Sequence, residues 1–136
     1  MSGVSDSTQN GFGKYLGMSI EHVSGDVLRA TVTISPDHYQ AHGIVHGGVY
    51  CAVVEHVASV AASVWFGDRG HVVGVSNSTN FIRAVRSGLL QVEATPLQRG
   101  RTQQLWQVFI TDQQQRLVVK GEVRLANIAD PGILGN

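Results

Sequence analysis

The long apolar stretch from Val49 to Phe66 constrains the fold of this chain more than any other feature. Its apolar residues recur at three- and four-residue spacing, which predicts an α-helix, and further valines and alanines fill the opposite side. Glu55 is its only formally charged residue. A helix that is apolar on nearly every side belongs inside a protein, so we expect a central helix with the other elements wrapped around it.

Glu55 and the residues just before the helix also predict a site. An unpaired carboxylate in a core is costly, so it must find a partner, shift its pKa or face a cleft. Gly47 and Gly48 would leave bare backbone N–H groups at the helix start, where amides lack internal partners and the helix dipole favours negative charge. Such a start can bind an oxyanion. The structural alternatives are a Glu55 paired with Arg83 or His56, and glycines that only allow close packing.

The composition narrows the class of protein. A chain of 136 residues is one domain that can bury a core without disulfides. Ten Lys and Arg balance ten Asp and Glu, so no net field attracts nucleic acid or an anionic membrane. The chain has one cysteine, Cys51, and no signal-like opening segment, which together favour a cytoplasmic protein. Glu55 and His56 interrupt its longest apolar stretch, so we do not expect it to span a membrane.

The remaining pattern predicts a sheet. Residues 27–34 alternate as a half-buried strand, which Pro36 stops, and Gly67 ends the helix. Four further strands are expected at residues 71–84, 89–97, 103–111 and 117–125. We therefore predict an α+β fold, an antiparallel sheet around one long central helix. Its domain spans residues 11–126, between a flexible N-terminus, 1–10, and a C-terminal tail, 127–136.

The spacing of His46-Gly47-Gly48, six residues and then Glu55 resembles the helix of hotdog-fold acyl-CoA thioesterases. Specifically, it resembles the group that contains the phenylacetate-pathway, dihydroxynaphthoyl-CoA and one type of 4-hydroxybenzoyl-CoA thioesterases. Segments 80–88 and 99–106 are similar to strands of that group, and the similarity runs from about Phe12 to Leu125. Phe81 departs from it, because many members have His or Leu there. The resemblance implies the hotdog fold.

The resemblance also implies roles for five residues. Glu55 would be the nucleophile or general base toward an acyl thioester, and the Gly47 amide would donate to the oxyanion. Gln40 and His46 would position the thioester, and Ser59 would lie beside Glu55 one helical turn on. No organic cofactor is implied.

Further residues are candidates for binding the substrate. Phe81 is expected to line an acyl pocket suited to an aromatic or medium-length aliphatic group. Four arginines suit the phosphates of coenzyme A, because guanidinium groups bind phosphate oxygens in pairs. Taken singly, they are solvated charges. They are Arg83, Arg86, Arg99 and Arg101.

A metal site is the alternative use of the histidines. His38, His42 and His46 share one loop, which is a zinc-like set, with Glu55 and His56 as further candidates. Residues four apart face one metal only on a helix, and glycine in this loop disfavours a helix. We therefore expect no metal. Cys51, among valines and alanine, is expected to be an inert core thiol.

These observations predict an acyl-CoA thioesterase. The alternatives are a non-catalytic protein that binds or senses acyl-CoA, and a 2-enoyl-CoA hydratase, which would need an Asp and His pair. Gly47 and Glu55 lie eight residues apart, about 12 Å along a helix, so one helix cannot present both to one carbonyl. We therefore expect a homodimer with shared active sites, and the resemblance implies a dimer of dimers, a homotetramer.

Overall fold

The computed structural model describes residues 11–129. The first helix, α1, is short and is followed by two strands, the long helix and four more strands. The elements are α1 Gly11–Tyr15, β1 Met18–Val23, β2 Leu28–Thr33, α2 Gly47–Phe66, β3 Gly70–Phe81, β4 Leu89–Arg99, β5 Gln103–Thr111 and β6 Leu117–Ala129. Short 3₁₀ turns at Pro36–His38 and Gly67–Arg69 flank α2.

The six strands form one antiparallel sheet in the order β1-β2-β4-β5-β6-β3. It packs against α2, mainly through β3, β6 and β5. This confirms the predicted α+β fold with one long central helix. The strand β1 was not predicted, and it is an edge strand whose pairing with β2 shifts register between Ile20 and His22.

The helix α2 has the predicted position but not the predicted burial. It begins after His46 and ends at Phe66. The next residue, Gly67, has a φ of 65°, a left-handed conformation that glycine adopts without strain. One face is buried against the sheet, and it carries Val53, Val54, Val57, Ala58 and Ala61. The opposite face, with Gly48, Glu55 and Ser63, is exposed. The expectation of a helix buried on every side was therefore wrong for the single chain, because the sheet covers only one face.

The interior strands carry most of the core. In β5 every second residue is buried, and Trp106 is fully so. The Trp106 indole N–H donates to Gln104 Oε1 at 2.8 Å, and Gln104 Nε2 donates to Asn127 Oδ1 at 2.8 Å and to the Ala62 carbonyl at 3.3 Å. This buried polar chain therefore joins β5, β6 and α2.

The strands β3 and β6 do not end at the residues predicted from the sequence. The strand β3 stops at Phe81 and not near residue 84, while β6 continues to Ala129. Residues 127–129 therefore belong to the sheet and not to a tail. The predicted flexible segment, residues 1–10, and the rest of the predicted tail, residues 130–136, lie outside the described residues.

Candidate active site

A buried histidine holds the loop that leads into α2. His38 is 2% exposed, and its Nδ1 accepts the Ser35 N–H at 3.1 Å while Nε2 donates to the Tyr15 carbonyl at 2.8 Å. The His38 carbonyl accepts the N–H of His46 at 2.8 Å. Because both ring nitrogens are used, His38 is a structural residue, and it links α1 to the loop that carries Gln40 and His46.

Two backbone amides at the start of α2 differ in what they bind. The Gly48 N–H donates to His46 Nδ1 at 2.7 Å, so in the neutral His46 ring the hydrogen lies on Nε2. Within residues 11–129 the Gly47 N–H has no acceptor. The predicted oxyanion donor is thus the amide that the described residues leave free, at the positive end of a 20-residue helix.

Gln40 is held so that its donor group is available. Its side-chain oxygen accepts the His42 N–H at 2.5 Å, and its backbone N–H donates to the Ile44 carbonyl at 2.8 Å. The side-chain NH₂ forms no hydrogen bond with a described residue. Gln40 can therefore donate a hydrogen bond to a substrate while its own loop fixes its orientation.

An aromatic side chain lies directly on the helix start. A Cβ added at Gly47 would come within 2.7 Å of the Phe81 ring, so the ring would have to move for a larger residue to fit there. Phe81 is 55% exposed and its ring centroid lies 6.0 Å from that of Tyr50. Tyr50 is buried, its hydroxyl has no partner among the described residues, and burial raises its pKa to about 12. Phe81 therefore places an apolar surface beside the free Gly47 amide.

Glu55 lies on the exposed face of α2, with Ser59 one turn further along. Within the described part of the chain it forms no ion pair with Arg83 and no hydrogen bond with His56, so the structural alternative for this carboxylate does not hold. Burial lowers the pKa of His56, which favours its neutral form. The Glu55 carboxylate instead packs against the backbone of β3 at Gly74.

The four candidate arginines fall into two groups at opposite ends of the sheet. Arg83 follows β3, its backbone N–H donating to Val118, whereas Arg101 lies in the turn that Asn127 binds. Val118 and Asn127 are nine residues apart on β6, a distance of about 30 Å. One chain does not bring the two groups together.

The arginines also differ in how they are engaged. Arg99 Nη1 donates to the Gly25 carbonyl at 2.6 Å and to Asp26 at 2.9 Å, and its guanidinium lies 5.7 Å from the Trp65 ring. Arg86 Nη1 donates to the His42 carbonyl at 3.4 Å. The contacts of Arg99 are those of a structural residue, so Arg83 and Arg101 are the more available of the four.

The metal candidates do not converge. No group of three or more His, Cys, Asp or Glu side chains within residues 11–129 is placed to hold a metal ion. His38 uses both ring nitrogens, as described above, and Cys51 is a half-buried free thiol. The groups that the described residues do present in this region are a carboxylate, a backbone amide and hydrogen-bonding side chains.

Comparison with known proteins identifies the family. Residues 42–119 match the model of the thioesterase superfamily, and this range holds the His46-Gly47-Gly48 motif, Glu55 and most of the sheet. The chain belongs to the thioesterase superfamily. It is accordingly an enzyme of the hydrolase class that acts on thioesters, and its hotdog fold is the one that the sequence resemblance implied.

Individual relatives agree with this assignment. A Mycobacterium tuberculosis protein named as an esterase is 47% identical over 120 residues, 86% of each chain, and its solved structure gives a TM-score of 0.85. The 1,4-dihydroxy-2-naphthoyl-CoA hydrolase of Escherichia coli is 30% identical over 112 residues, 82% of each chain. A Haemophilus influenzae structure described as a thioesterase gives a TM-score of 0.88 at 30% identity, over 94% of this chain and 90% of that one.

Phe81 apart, sequence reasoning missed the contribution of β3 to this candidate site. Gly74 lies against Glu55, and Asn77 Nδ2 donates to the Cys51 carbonyl of α2 at 3.0 Å. A glycine inside a strand pattern is a signal of close approach by another group, so Gly74 carried a usable signal. Asn77 carried none, because an exposed asparagine in a strand is ordinarily solvated.

Proposed function

We propose that this thioesterase hydrolyses acyl-CoA thioesters with an aromatic or medium-length acyl group. The observation that carries the proposal is the free Gly47 amide at the start of α2, on the helix that also carries Glu55 on its exposed face. Hydrolysis joins a water oxygen to the acyl carbon, breaks the carbon–sulfur bond, and gives a carboxylic acid and the CoA thiol. Glu55 would act as nucleophile or as general base, without a metal or an organic cofactor.

The positions of the other side chains fit this reaction. Negative charge develops on the carbonyl oxygen as the bond to the acyl carbon forms, and a fixed amide at a helix start stabilises that charge without rearrangement. The available NH₂ of Gln40 would orient the thioester carbonyl. The Nε2–H of His46 would lie near the leaving sulfur, and Ser59 would bind the carboxylate of Glu55 or the attacking water.

The active site would be shared between two subunits. Gly47 and Glu55 of one chain are separated by about 12 Å along α2, too far for both to reach one carbonyl. The strand β3 is an exposed edge with Val73, Val75 and Phe81 uncovered, which is suited to antiparallel pairing with a second copy. Glu55 of the partner subunit would then lie opposite Gly47, and two dimers would form a tetramer.

The same pairing would assemble the coenzyme A site. Antiparallel β3 strands place the Gly70 end of one chain beside the Phe81 end of the other. Arg101 of one chain would then approach Arg83 and Arg86 of its partner, although they lie far apart within one chain. We propose that Arg83, Arg86 and Arg101 bind the phosphates, and that Arg99 supports the turn between β1 and β2.

The acyl group is inferred from the surface beside the free amide. Phe81 and Tyr50 supply two rings near Gly47, which suits an aromatic acyl group or a medium aliphatic chain. The relative that acts on 1,4-dihydroxy-2-naphthoyl-CoA supports an aromatic substrate. Because free CoA thioesters occur in the cytoplasm, we propose that the enzyme works there.

Release of CoA thiol from a panel of benzoyl-type, naphthoyl-type and fatty acyl-CoAs tests the activity. We expect steady turnover with at least one class. Tight acyl-CoA binding without thiol release would instead indicate a sensor. Loss of enoyl absorbance without thiol release would indicate a hydratase.

Complementation tests the shared site. Glu55→Ala and Gln40→Ala should each be inactive, and refolding the two together should restore roughly a quarter of all sites, because each mixed dimer regains one intact site. Mixed dimers are counted by native mass spectrometry. A mixture that contains mixed dimers and is no more active than its parents would exclude sharing.

A further inference from the structure

A bulge in β3 decides which of its side chains face α2. The pairing of β3 with β6 joins Gly74 to Leu125 and then Ser76 to Arg124, so Val75 is an extra residue. An extra residue reverses the alternation of a strand. Gly74 faces the helix before the bulge, and after it the helix-facing residues are Asn77, Thr79 and Phe81, as their contacts with α2 and with one another show.

Gly74 makes the space that the Glu55 carboxylate occupies. A Cβ added at Gly74 would lie 2.7 Å from Glu55 Oε2 and 3.3 Å from its carboxyl carbon. Both distances are shorter than van der Waals contact, so the carboxylate is placed where a side chain at position 74 would be. Because Glu55 is long and flexible, an alanine there would move the carboxylate and leave the fold intact.

Asn77 fixes the turn of α2 that carries Glu55. Its Nδ2 donates to the Cys51 carbonyl, which is also the acceptor for the Glu55 N–H in an α-helix. Thr79 Oγ1 donates to Asn77 Oδ1 at 2.6 Å, and this bond sets which way the amide points. The backbone of Glu55 is therefore held from β3 at the carbonyl one turn before it.

We propose that Gly74 and Asn77 are positioning residues for Glu55: Gly74 sets where the carboxylate lies, and Asn77 sets the helical turn that presents it. This inference rests on the proposed function of Glu55. Reacting groups misplaced by about 1 Å lose on the order of 100-fold in rate, so a displaced carboxylate lowers kcat without weakening substrate binding.

The kinetic test compares Gly74→Ala with Ser76→Ala, which lies across the bulge on the other face of the strand. We expect Gly74→Ala to lower kcat at least ~10-fold with KM within ~2-fold, and Ser76→Ala to leave both unchanged. Asn77→Ala should lower kcat several-fold, and Thr79→Val should do so to a smaller extent. Equal losses in Gly74→Ala and Ser76→Ala, or a rise in KM alone, would overturn the proposal.

A double variant separates positioning from general damage to β3. Glu55→Asp shortens the side chain by one methylene, which withdraws the carboxylate from position 74. Its loss in kcat should therefore not multiply with that of Gly74→Ala, and the double variant should be no slower than the slower single variant. Multiplied losses would mean that Gly74 acts independently of Glu55.

A crystal structure of Gly74→Ala supplies a result that does not depend on turnover. The Glu55 carboxylate should move by about 1 Å or more while the backbones of α2 and β3 superpose. An unmoved carboxylate overturns the inference whether or not acyl-CoA is the substrate. Absent thiol release from the unchanged enzyme, with a displaced carboxylate in the variant, would count against the proposed function only.

Discussion

The strands β5 and β3 belong to one sheet but differ in how far the rest of the chain buries their side chains. In the nine residues of β5 each second side chain is buried, whereas none of the twelve residues of β3 is buried, although β3 pairs with β6 along its length. Trp106 in β5 is fully covered, while Val75 in β3 is 61% exposed. The side chains of the interior strand are covered by the rest of the chain, and those of the edge strand are not.

This difference separates stability from function in the sheet. Side chains of β5 are fixed by the core of their own chain, so changes there should alter folding. The exposed apolar residues of β3, Val73, Val75 and Phe81, and the outer face of α2, which carries Glu55, lie where the proposed function places a second copy and a substrate. Changes in this second region, which we call the β3 face, should alter catalysis with little effect on the stability of one chain.

The largest effect should come from the β3 face. Glu55→Gln keeps the shape and removes the charge of the nucleophile or base, so we expect kcat to fall at least ~100-fold. The melting temperature should hold, because Glu55 is exposed and forms no ion pair with a described residue. Glu21→Gln, at an exposed carboxylate on β1, is the matched control and should keep full turnover. Turnover of Glu55→Gln within a few-fold of the parent would remove Glu55 from catalysis.

The next largest effect should come from the interior strand β5, and it should lower stability without lowering turnover. Trp106→Phe shortens a fully buried side chain and leaves Gln104 Oε1 without its donor, so unfolding should become easier by about 2–3 kcal/mol. Urea titration measures this, and kcat per folded enzyme should not change. A loss of kcat that matches Glu55→Gln would show that the two regions are not separate.

A smaller effect is expected at the turn after β4, where we propose that coenzyme A binds. Arg101→Ala should raise KM for all acyl-CoAs by roughly 5- to 10-fold, and added salt should reproduce the defect in the unchanged enzyme. Thioesters of N-acetylcysteamine, which lack the phosphates, should react as before. Equal damage to both kinds of substrate would assign Arg101 to folding or to the subunit interface.

The smallest effect concerns the turn between β5 and β6. Burial opposes ionisation of Asp112, but the backbone N–H groups of Arg116 and Gln114 and the Arg116 side chain donate to it and hold its pKa below the ordinary value for an aspartate. A depressed folded pKa gives stability that is present above the unfolded pKa and is lost as the pH falls through the folded one. Asp112→Asn should be slightly less stable than the parent at pH 7, and the difference should shrink below pH ~4. Urea midpoints across this range measure it, and a difference that is constant with pH would exclude the carboxylate as its source.

The sequence predicted the elements whose pattern depends on the chain alone. The apolar spacing predicted α2, and the alternation at Gln103–Thr111 predicted β5 with the bounds that the structure has. The edge strand β1 was missed because the register shift between Ile20 and His22 breaks its alternation. Burial around α2 was overestimated, because hydrophobic periodicity does not say whether the same chain or another one covers a face.

The sequence indicates only those parts of the candidate site that depend on neighbouring residues in the chain. Gly47 and Glu55 could be singled out as candidates because a helix start and an isolated charge can be recognised in a sequence. The difference between Arg99 and Arg101 could not be predicted, because Arg99 contacts Asp26 and Trp65, which are distant in the chain. Contacts across β3 were also hidden, because the bulge at Val75 changes which residues face inward.

That bulge has a consequence for how the family can vary in length. Removing Val75 or adding one residue beside it would turn the side chains of residues 77, 79 and 81 away from α2 and bring those of 76, 78 and 80 toward it. The turn after β4 and the five residues 112–116 could change length without such an exchange. Insertions and deletions should therefore accumulate at the hairpin turns and be excluded from the first half of β3.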